Sequence, residues 1–339
     1  KTIELYYLPR LNAVRTGRHL SLTTYHYYMP LNRRKFISTT AAFGGAMITP
    51  FQQSIMDKPA FPLPADFTPL VMATNWGFEG TTDDFCARAK QEGYDGIEMW
   101  WPTEKTQQDA LFSALQKHGL SVGFLCGSGD SHFEKHLEQF QKMTDAAATQ
   151  QIQKPLYINC HSGKDYFSFE QNRRFIEYTI ALSKKTGIPV SHETHRSRIL
   201  YAAPVARQFM EAIPGLRVTL DISHWCNVHE SLLNDQEETV EMALSRVDHI
   251  QARIGHPEGP QVNDPRAPEW EAAVKRHWHW WDKVVELKIK QGIKKLTFLT
   301  EFGPPDYLPA LPYTRQPLAD QWAINVYMKN QLKKRYSDQ

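Results

Sequence analysis

Few of the features that would assign this 339-residue chain at once are present. No apolar run reaches the ~18–20 residues that a membrane-spanning helix requires, so no membrane span is expected. The four cysteines, Cys86, Cys126, Cys160 and Cys226, form no CxxC pair. They read as buried thiols, with a single disulfide left open, and not as a zinc cluster or redox pair. Charge of one sign is also scarce: 39 Lys and Arg face 37 Asp and Glu, a net charge of +2. That balance provides no broad attraction for nucleic acid or an anionic membrane. Nor does a Gly-rich phosphate loop follow the first strand-like run. Asn75-Trp76-Gly77-Phe78 stands there instead, which argues against an open dinucleotide-binding sheet. The chain is generous in 14 His and nine Trp, residue types that supply ligands, acid–base groups and stacking surfaces as well as core.

The N-terminal part reads differently from the rest. Residues 1–28 show no clear periodicity and the first methionine is Met29, so this lead is expected to be non-native or disordered. Arg33-Arg34, followed by the mildly apolar small-residue run 38–48 and Pro50, resembles a twin-arginine export signal. Residues 29–50 are therefore expected to be a signal, 51–66 a polar, Pro-rich linker, and the mature protein exported, to the periplasm.

From residue 67 a rhythm begins. Strand-like runs end near Thr74, Trp100, Cys126, Cys160, Glu193, Asp221, Arg253 and Glu301. Between them lie amphipathic patterns over 82–92, 107–118, 132–149, 169–186, 204–213, 236–245 and 269–291, with a last one over 318–333. Gly93, Gly119, Gly187 and Gly292 stand where helices should end. Eight strand–helix units over residues 67–335 predict a single-domain (β/α)8 TIM barrel, which typically takes about 250 residues.

In such a barrel the strand C-termini share one face. Reading only those ends selects Glu98, His161, Glu193, Asp221 with His224, Gln251 with Arg253, and Glu301. A structural role is expected for Glu98, as a loop anchor or helix cap. Asp221 and His224 could also be a helix cap and a histidine packed on Trp225. Taken together, though, carboxylates crowded at one mouth repel unless a cation or proton lies between them. Glu193, Asp221, Gln251 and Glu301, from strands five to eight, offer three carboxylates and an amide oxygen. These hard donors suit one divalent metal, Mn or Mg first, with Co or Zn if His224 or His161 joins. Such an ion polarises a carbonyl and a neighbouring hydroxyl, and an adjacent carboxylate can then move a proton between the two carbons. The polar loop 255–265, which carries His256, is expected to act as a lid over the bowl. Trp100-Trp101 reads equally as a sugar-stacking wall or as core, and 277–281 (His-Trp-His-Trp-Trp) reads as helix packing on the barrel.

The ordered stretches Gly93–Glu98, His192–Arg196, Leu220–His224, His249–Arg253 and Thr300–Gly303 resemble the xylose-isomerase-like superfamily of sugar phosphate isomerases and epimerases. The resemblance covers about residues 67–335. It implies metal ligands at Glu193, Asp221, Gln251 and Glu301, an acid–base pair of Glu193 and Glu301 around an enediolate, and a substrate contact from His224. His161 and Arg253 point into the same bowl, and with Trp100 and His256 they complete the expected substrate contacts. Gln251 departs from the family pattern, which has a histidine there. Apurinic-site endonucleases share the fold and a ligand at His161. Their third-strand histidine is missing at Cys126-Gly127, and their Asp-x-His after strand seven reads Asp264-Pro265-Arg266 here. The function expected is a metal-dependent isomerase or epimerase of a sugar or sugar derivative. The alternatives are a metal-dependent lyase or hydrolase of an oxidised glycoside, and a sugar-binding protein without turnover. The expected partner is a small carbohydrate, a free one if the export signal is real, and no nucleic acid; self-association as a homo-oligomer is left open.

Overall fold

The computed structural model describes residues 58–337. The lead 1–28, the export-signal segment 29–50 and the first part of the 51–66 linker lie outside the described residues. Eight parallel strands close into a barrel in sequence order. They are β1 (Thr68–Thr74), β2 (Gly96–Trp100), β3 (Ser121–Gly127), β4 (Ile158–His161), β5 (Val190–Glu193), β6 (Val218–Leu220), β7 (Val247–Gln251) and β8 (Lys295–Thr300). β8 returns to pair with β1 in the register Thr68↔Lys295 through Ala73↔Thr300, so neither edge is left open.

The crossover helices are α1 (Thr82–Gln91), α2 (Lys105–His118), α3 (Phe133–Thr149), α4 (Phe169–Thr186), α5 (Ala203–Ala212), α6 (Ile222–Val228), α7 (Glu237–Leu244), α8 (Glu271–Lys290) and α9 (Gln321–Tyr336). Local chemistry sets their ends. Thr81 with Asp84, and Ser168 with Gln171, form capping boxes that satisfy free N–H groups at the starts of α1 and α4. Each such cap contributes about 1 kcal/mol. The four glycines expected after helices all have positive φ, the conformation that lets the chain turn back toward the next strand.

Two helical segments differ from expectation. The pattern over 269–291 opens as a 3-10 turn, Pro268–Trp270, before α8 begins. The short helix α6 has no counterpart in the predicted set. Seven residues are too few to show an amphipathic period, and α6 depends instead on Asp221, whose side chain accepts from Ser223 N–H. The expected C-terminal helix begins three residues later than 318, where the Asp320 side chain caps it through Ala323 N–H.

Most apolar side chains pack between barrel and helices, including Trp225, Trp280, Trp281 and Phe298. The histidine–tryptophan cluster of α8 belongs to this layer: His277, Trp278, Trp280 and Trp281 are buried. Inside the barrel the core is small and partly polar. Met72, Tyr157 and Leu299 form its apolar part, and His249 stacks on Tyr157 at 3.9 Å. Gly123 makes room for this layer, because a Cβ there would lie 2.3 Å from the Tyr157 ring. The strand alternation is clear on β5. Ser191 meets Thr219 inside the barrel (2.6 Å), while His192 contacts Thr179 of α4. All four cysteines are buried and free. Among the described residues no helix is long and apolar enough to cross a membrane.

Candidate active site

Closing the barrel brings the strand ends together around a cavity of about 390 Å³, lined by Trp76, Glu98, Trp100, His161, His195, Arg253, Glu301 and Tyr307 among others. Glu193, at the end of β5, is buried directly behind His161. Three side-chain N–H groups converge on its Oε2: Asn159 Nδ2 at 2.6 Å, His161 Nε2 at 2.9 Å and Gln251 Nε2 at 3.2 Å. Burial raises the affinity of this carboxylate for a proton. The charge and hydrogen bond of His161, then His195 and Asn159, more than offset that and hold Glu193 well below the usual carboxylate range.

Asp221 follows β6 and has two tasks. Oδ1 caps α6 through the N–H and hydroxyl of Ser223, and Oδ2 receives Arg253 Nη2. Burial pushes its carboxyl up to about 6 against the pull of Arg253. The helix-cap reading of Asp221 is therefore real, and it coexists with a place in the site. The same Nη2 of Arg253 donates to His224 Nε2 at 2.8 Å and lies 3.7 Å from Glu301 Oε2. Burial pushes Glu301 well above its ordinary value, with Arg253 pulling the other way. The guanidinium of Arg253 also lies over Tyr307, 4.8 Å from the ring centroid. Burial keeps His224 and His195 neutral; the Nε2 lone pair of His224 accepts from Arg253, while His195 donates through Nδ1 to Arg196 O and keeps its Nε2 lone pair free.

The residues fit a bound cation. Oxygen and nitrogen atoms of Glu193, Asp221 and His224 gather within 4.8 Å of one another, as do those of His161, Glu193 and His195. Gln251 Oε1 and Glu301 Oε2 are buried acceptors without a hydrogen-bond donor, which is costly unless a cation, proton or water meets them. Glu193, Asp221 and Glu301 face one buried guanidinium, a surplus of negative charge that a divalent ion would balance. Of the four ligands read from the sequence, Glu193 and Asp221 enter the close group. Gln251 offers Glu193 its N–H, and its free oxygen remains. Glu301 faces Arg253 across the cavity wall. His224, read as a substrate contact, lies in the same close group as Glu193 and Asp221.

Other expectations divide. Trp100 lines the cavity, half-exposed and edge-on to His161 at 5.5 Å. Trp101 points away into the core against Phe124. His161 and Arg253 reach the cavity as expected. His256 is not among the residues that line it. Its backbone pairs with Gly259 in a tight bridge and its ring packs on Trp270 at 4.6 Å. The reading of Glu98 is corrected. It caps no helix but is buried in the cavity wall, with Oε2 unpartnered and 3.7 Å from His249 Nε2. Burial, then Glu193, pushes its carboxyl up to about 8.

Sequence reasoning missed His195, Trp76, Asn159 and Tyr307. His195 stands two residues beyond Glu193, hence on the same side of an extended chain, and Trp76 likewise follows the end of β1. Those two spacings could have found them. Tyr307 lies in the loop after β8 and carries no such signal.

A family model described as xylose isomerase-like TIM barrel matches residues 86–280. No curated protein sequence matches the chain. Among solved structures, the fold is similar to that of the apo 3-keto-D-glucoside 4-epimerase of E. coli (14% identity, 78% of this chain and 99% of that one, TM-score 0.52). It is also similar to an AP endonuclease, family 2, of Brucella melitensis (15% identity, 80% of this chain and 100% of that one, TM-score 0.50). At such identities the likeness is one of fold alone.

Proposed function

The chain belongs to the xylose isomerase-like TIM-barrel family, and from that premise we propose that it is a divalent-metal-dependent isomerase or epimerase of a carbohydrate, moving a proton at a carbon next to a carbonyl. The observation that carries this reading is the contrast between two carboxyl groups at one site. Glu193 is held ionised by His161 and Asn159, while burial favours the protonated form of Glu301 on the cavity wall. Surroundings that drive two carboxyl groups apart in this way are what an acid–base pair needs.

Glu193, Asp221 and His224 would hold the metal, with Gln251 Oε1 the neutral oxygen left to complete the set. When bound, a divalent ion there polarises the carbonyl and the adjacent hydroxyl of the substrate. Glu193 takes the proton from carbon, its carboxylate oriented by the N–H groups of His161 and Asn159. Glu301 returns a proton to the enediolate, so that one carboxyl gains what the other loses, and once product has left the pair resets by proton exchange with solvent. The Arg253 guanidinium, fixed by Asp221 and Tyr307, lies close enough to stabilise developing oxyanion charge. Trp76 and Trp100 supply aromatic faces for the sugar ring. Reading 29–50 as an export signal favours a free carbohydrate as substrate over a cytosolic sugar phosphate.

The test is solvent-deuterium incorporation. A panel of aldoses, ketoses and keto-sugars incubated with the metal-loaded protein in D2O should show one in which deuterium enters a carbon beside the carbonyl without fragmentation. Glu193→Gln and Glu301→Gln should each lower the rate about 10²- to 10⁴-fold. Full exchange in either variant removes the acid–base assignment, and release of two fragments would instead favour a lyase or hydrolase.

A further inference from the structure

The proposed chemistry leaves one acid of the cavity wall without a task. Glu98 lines the cavity from β2, the strand opposite β6 in the closed ring of eight. Alternation puts it on the same strand face as Trp100, while Ile97 turns into the core between barrel and helices. The two cavity residues differ in depth. Trp100 stands roughly 6–7 Å farther along the strand toward the mouth, and it is 46% exposed where Glu98 is 2% exposed. A sugar ring resting on Trp100 therefore has Glu98 beneath its inner edge.

The carboxyl is backed from inside the barrel. The register partner of Glu98 on β3 is Gly123, and the Tyr157 ring fills the space that a side chain there would need. Tyr157 in turn stacks on His249 at 3.9 Å, and Thr297 Oγ1 meets His249 Nδ1 at 2.8 Å. His249 is thus held from two sides, with Nε2 3.7 Å from Glu98 Oε2. That gap is too long for a hydrogen bond, and neither atom has a partner among the described residues. A carboxyl kept only for the fold would be bonded to its neighbours. A buried one left unsatisfied on a cavity wall is costly, and a ligand group that meets it removes the cost. A hydroxyl both donates and accepts, so it suits the carboxyl with or without its proton.

We propose that Glu98 is a specificity-determining contact, whose carboxyl hydrogen-bonds one hydroxyl of a carbohydrate resting on Trp100, with His249 and Tyr157 backing it. This rests on the isomerase reading and adds a required hydroxyl to it. The carbonyl and its neighbouring hydroxyl belong to the β5–β6 side, where Glu193, Asp221 and His224 gather, so the hydroxyl met from β2 is a different one.

The experiment measures binding of aldohexoses, ketohexoses and their singly deoxygenated analogues to the Mn²⁺-loaded protein by calorimetry, with each sugar also assayed for deuterium exchange. For a sugar that binds, removing one hydroxyl other than that beside the carbonyl should weaken affinity at least about tenfold. Glu98→Leu should weaken the intact sugar by a similar factor and bind that deoxy analogue as the parent does, so that the two losses do not add. Glu98→Gln, which still hydrogen-bonds, should keep most of the discrimination. If Glu98→Leu folds poorly, Glu98→Asp, whose carboxyl is drawn back by one methylene, carries the same comparison. A purely structural role would weaken intact and deoxy sugars alike. Losses that add in full, or a smaller loss for every analogue, overturn the contact, and deuterium exchange in that case keeps the isomerase reading. Non-additive losses without exchange in any sugar do the reverse, and binding by no member of the panel overturns both.

Discussion

Replacing Arg253 with methionine removes the buried guanidinium that faces Asp221, His224 and Glu301 while keeping most of the side-chain volume. The loss follows from the charge count. With Arg253 gone, Glu193, Asp221 and Glu301 share one buried space with no opposing permanent charge. Breaking a buried pair on one side typically costs about 3–5 kcal/mol, because the partner is left uncompensated. An unfolding entropy of about 2.1 cal/mol/K per residue over a barrel of this size converts that to a fall of roughly 5–8 °C in Tm. The loss should depend on pH with a definite sign. Burial raises the Asp221 carboxyl to about 6, so at pH 8 it is ionised and needs Arg253, whereas at pH 5 it is largely protonated and needs it less. The destabilisation measured by thermal unfolding in chelator should therefore be larger at pH 8 than at pH 5. Millimolar Mn²⁺ or Mg²⁺ should raise the Tm of Arg253→Met by more than that of the parent, since a cation bound only to the native state stabilises in proportion to its affinity. A loss that is equal or greater at pH 5, or no metal-dependent recovery, would refute the picture of a cation cradle held half-neutralised by Arg253.

Three further predictions concern separate parts of the molecule. His277 of α8 donates to Ala273 O and accepts the Gly255 N–H, and burial lowers it to about 4. Between that value and the roughly 6.5 of an unfolded histidine, only the unfolded chain takes the proton. Stability should thus fall as pH drops through this window, by about 1.4 kcal/mol per pH unit from this residue. His277→Gln should flatten the pH dependence of urea unfolding by one proton, and an unchanged slope would rule its contribution out. A Cβ at Gly303 would lie 2.3 Å from the Trp76 ring. Gly303→Ala should therefore displace Trp76, weaken carbohydrate binding and cost about 1–3 kcal/mol of stability, which calorimetry and thermal unfolding would separate. Gly123→Ala drives a methyl group into the Tyr157 ring inside the barrel and should destabilise by a similar amount without altering the cavity mouth.

The reach of sequence reasoning can be traced residue by residue. Alternating strand and helix periods are local, so all eight strands of the barrel could be read from spacing, and the cap glycines marked where helices stop. Glu193, Asp221, Gln251, Glu301 and His161 were legible for a related reason. In a closed parallel barrel, position at a strand end is enough to place a side chain on the shared face, whatever its distance in sequence.

Other outcomes depended on side chains meeting across the barrel. Trp100 and Trp101 are adjacent in sequence, and alternation along β2 puts Trp100 on the cavity face with Glu98 and turns Trp101 into the core. Glu98 looked like a loop anchor because nothing local distinguishes an exposed strand-end carboxylate from one sealed beside His249. His256 was drawn from the cavity by a bridge to Gly259 and by the face of Trp270, contacts between loop residues with no periodic signature. Arg253 stands two residues beyond Gln251, and its position on the inner face could be inferred. That its guanidinium would lie among Asp221, His224 and Glu301 could not, since this depends on the reach of one long side chain across two neighbouring strands. Sequence alone determined the barrel and the set of strand-end donors, because both follow from local period and chain direction. Tertiary structure decided which donors lie close together, which carboxyl is pushed toward its protonated form and which cation stands between them. Those outcomes depend on burial and on distances of a few ångströms that no linear spacing encodes.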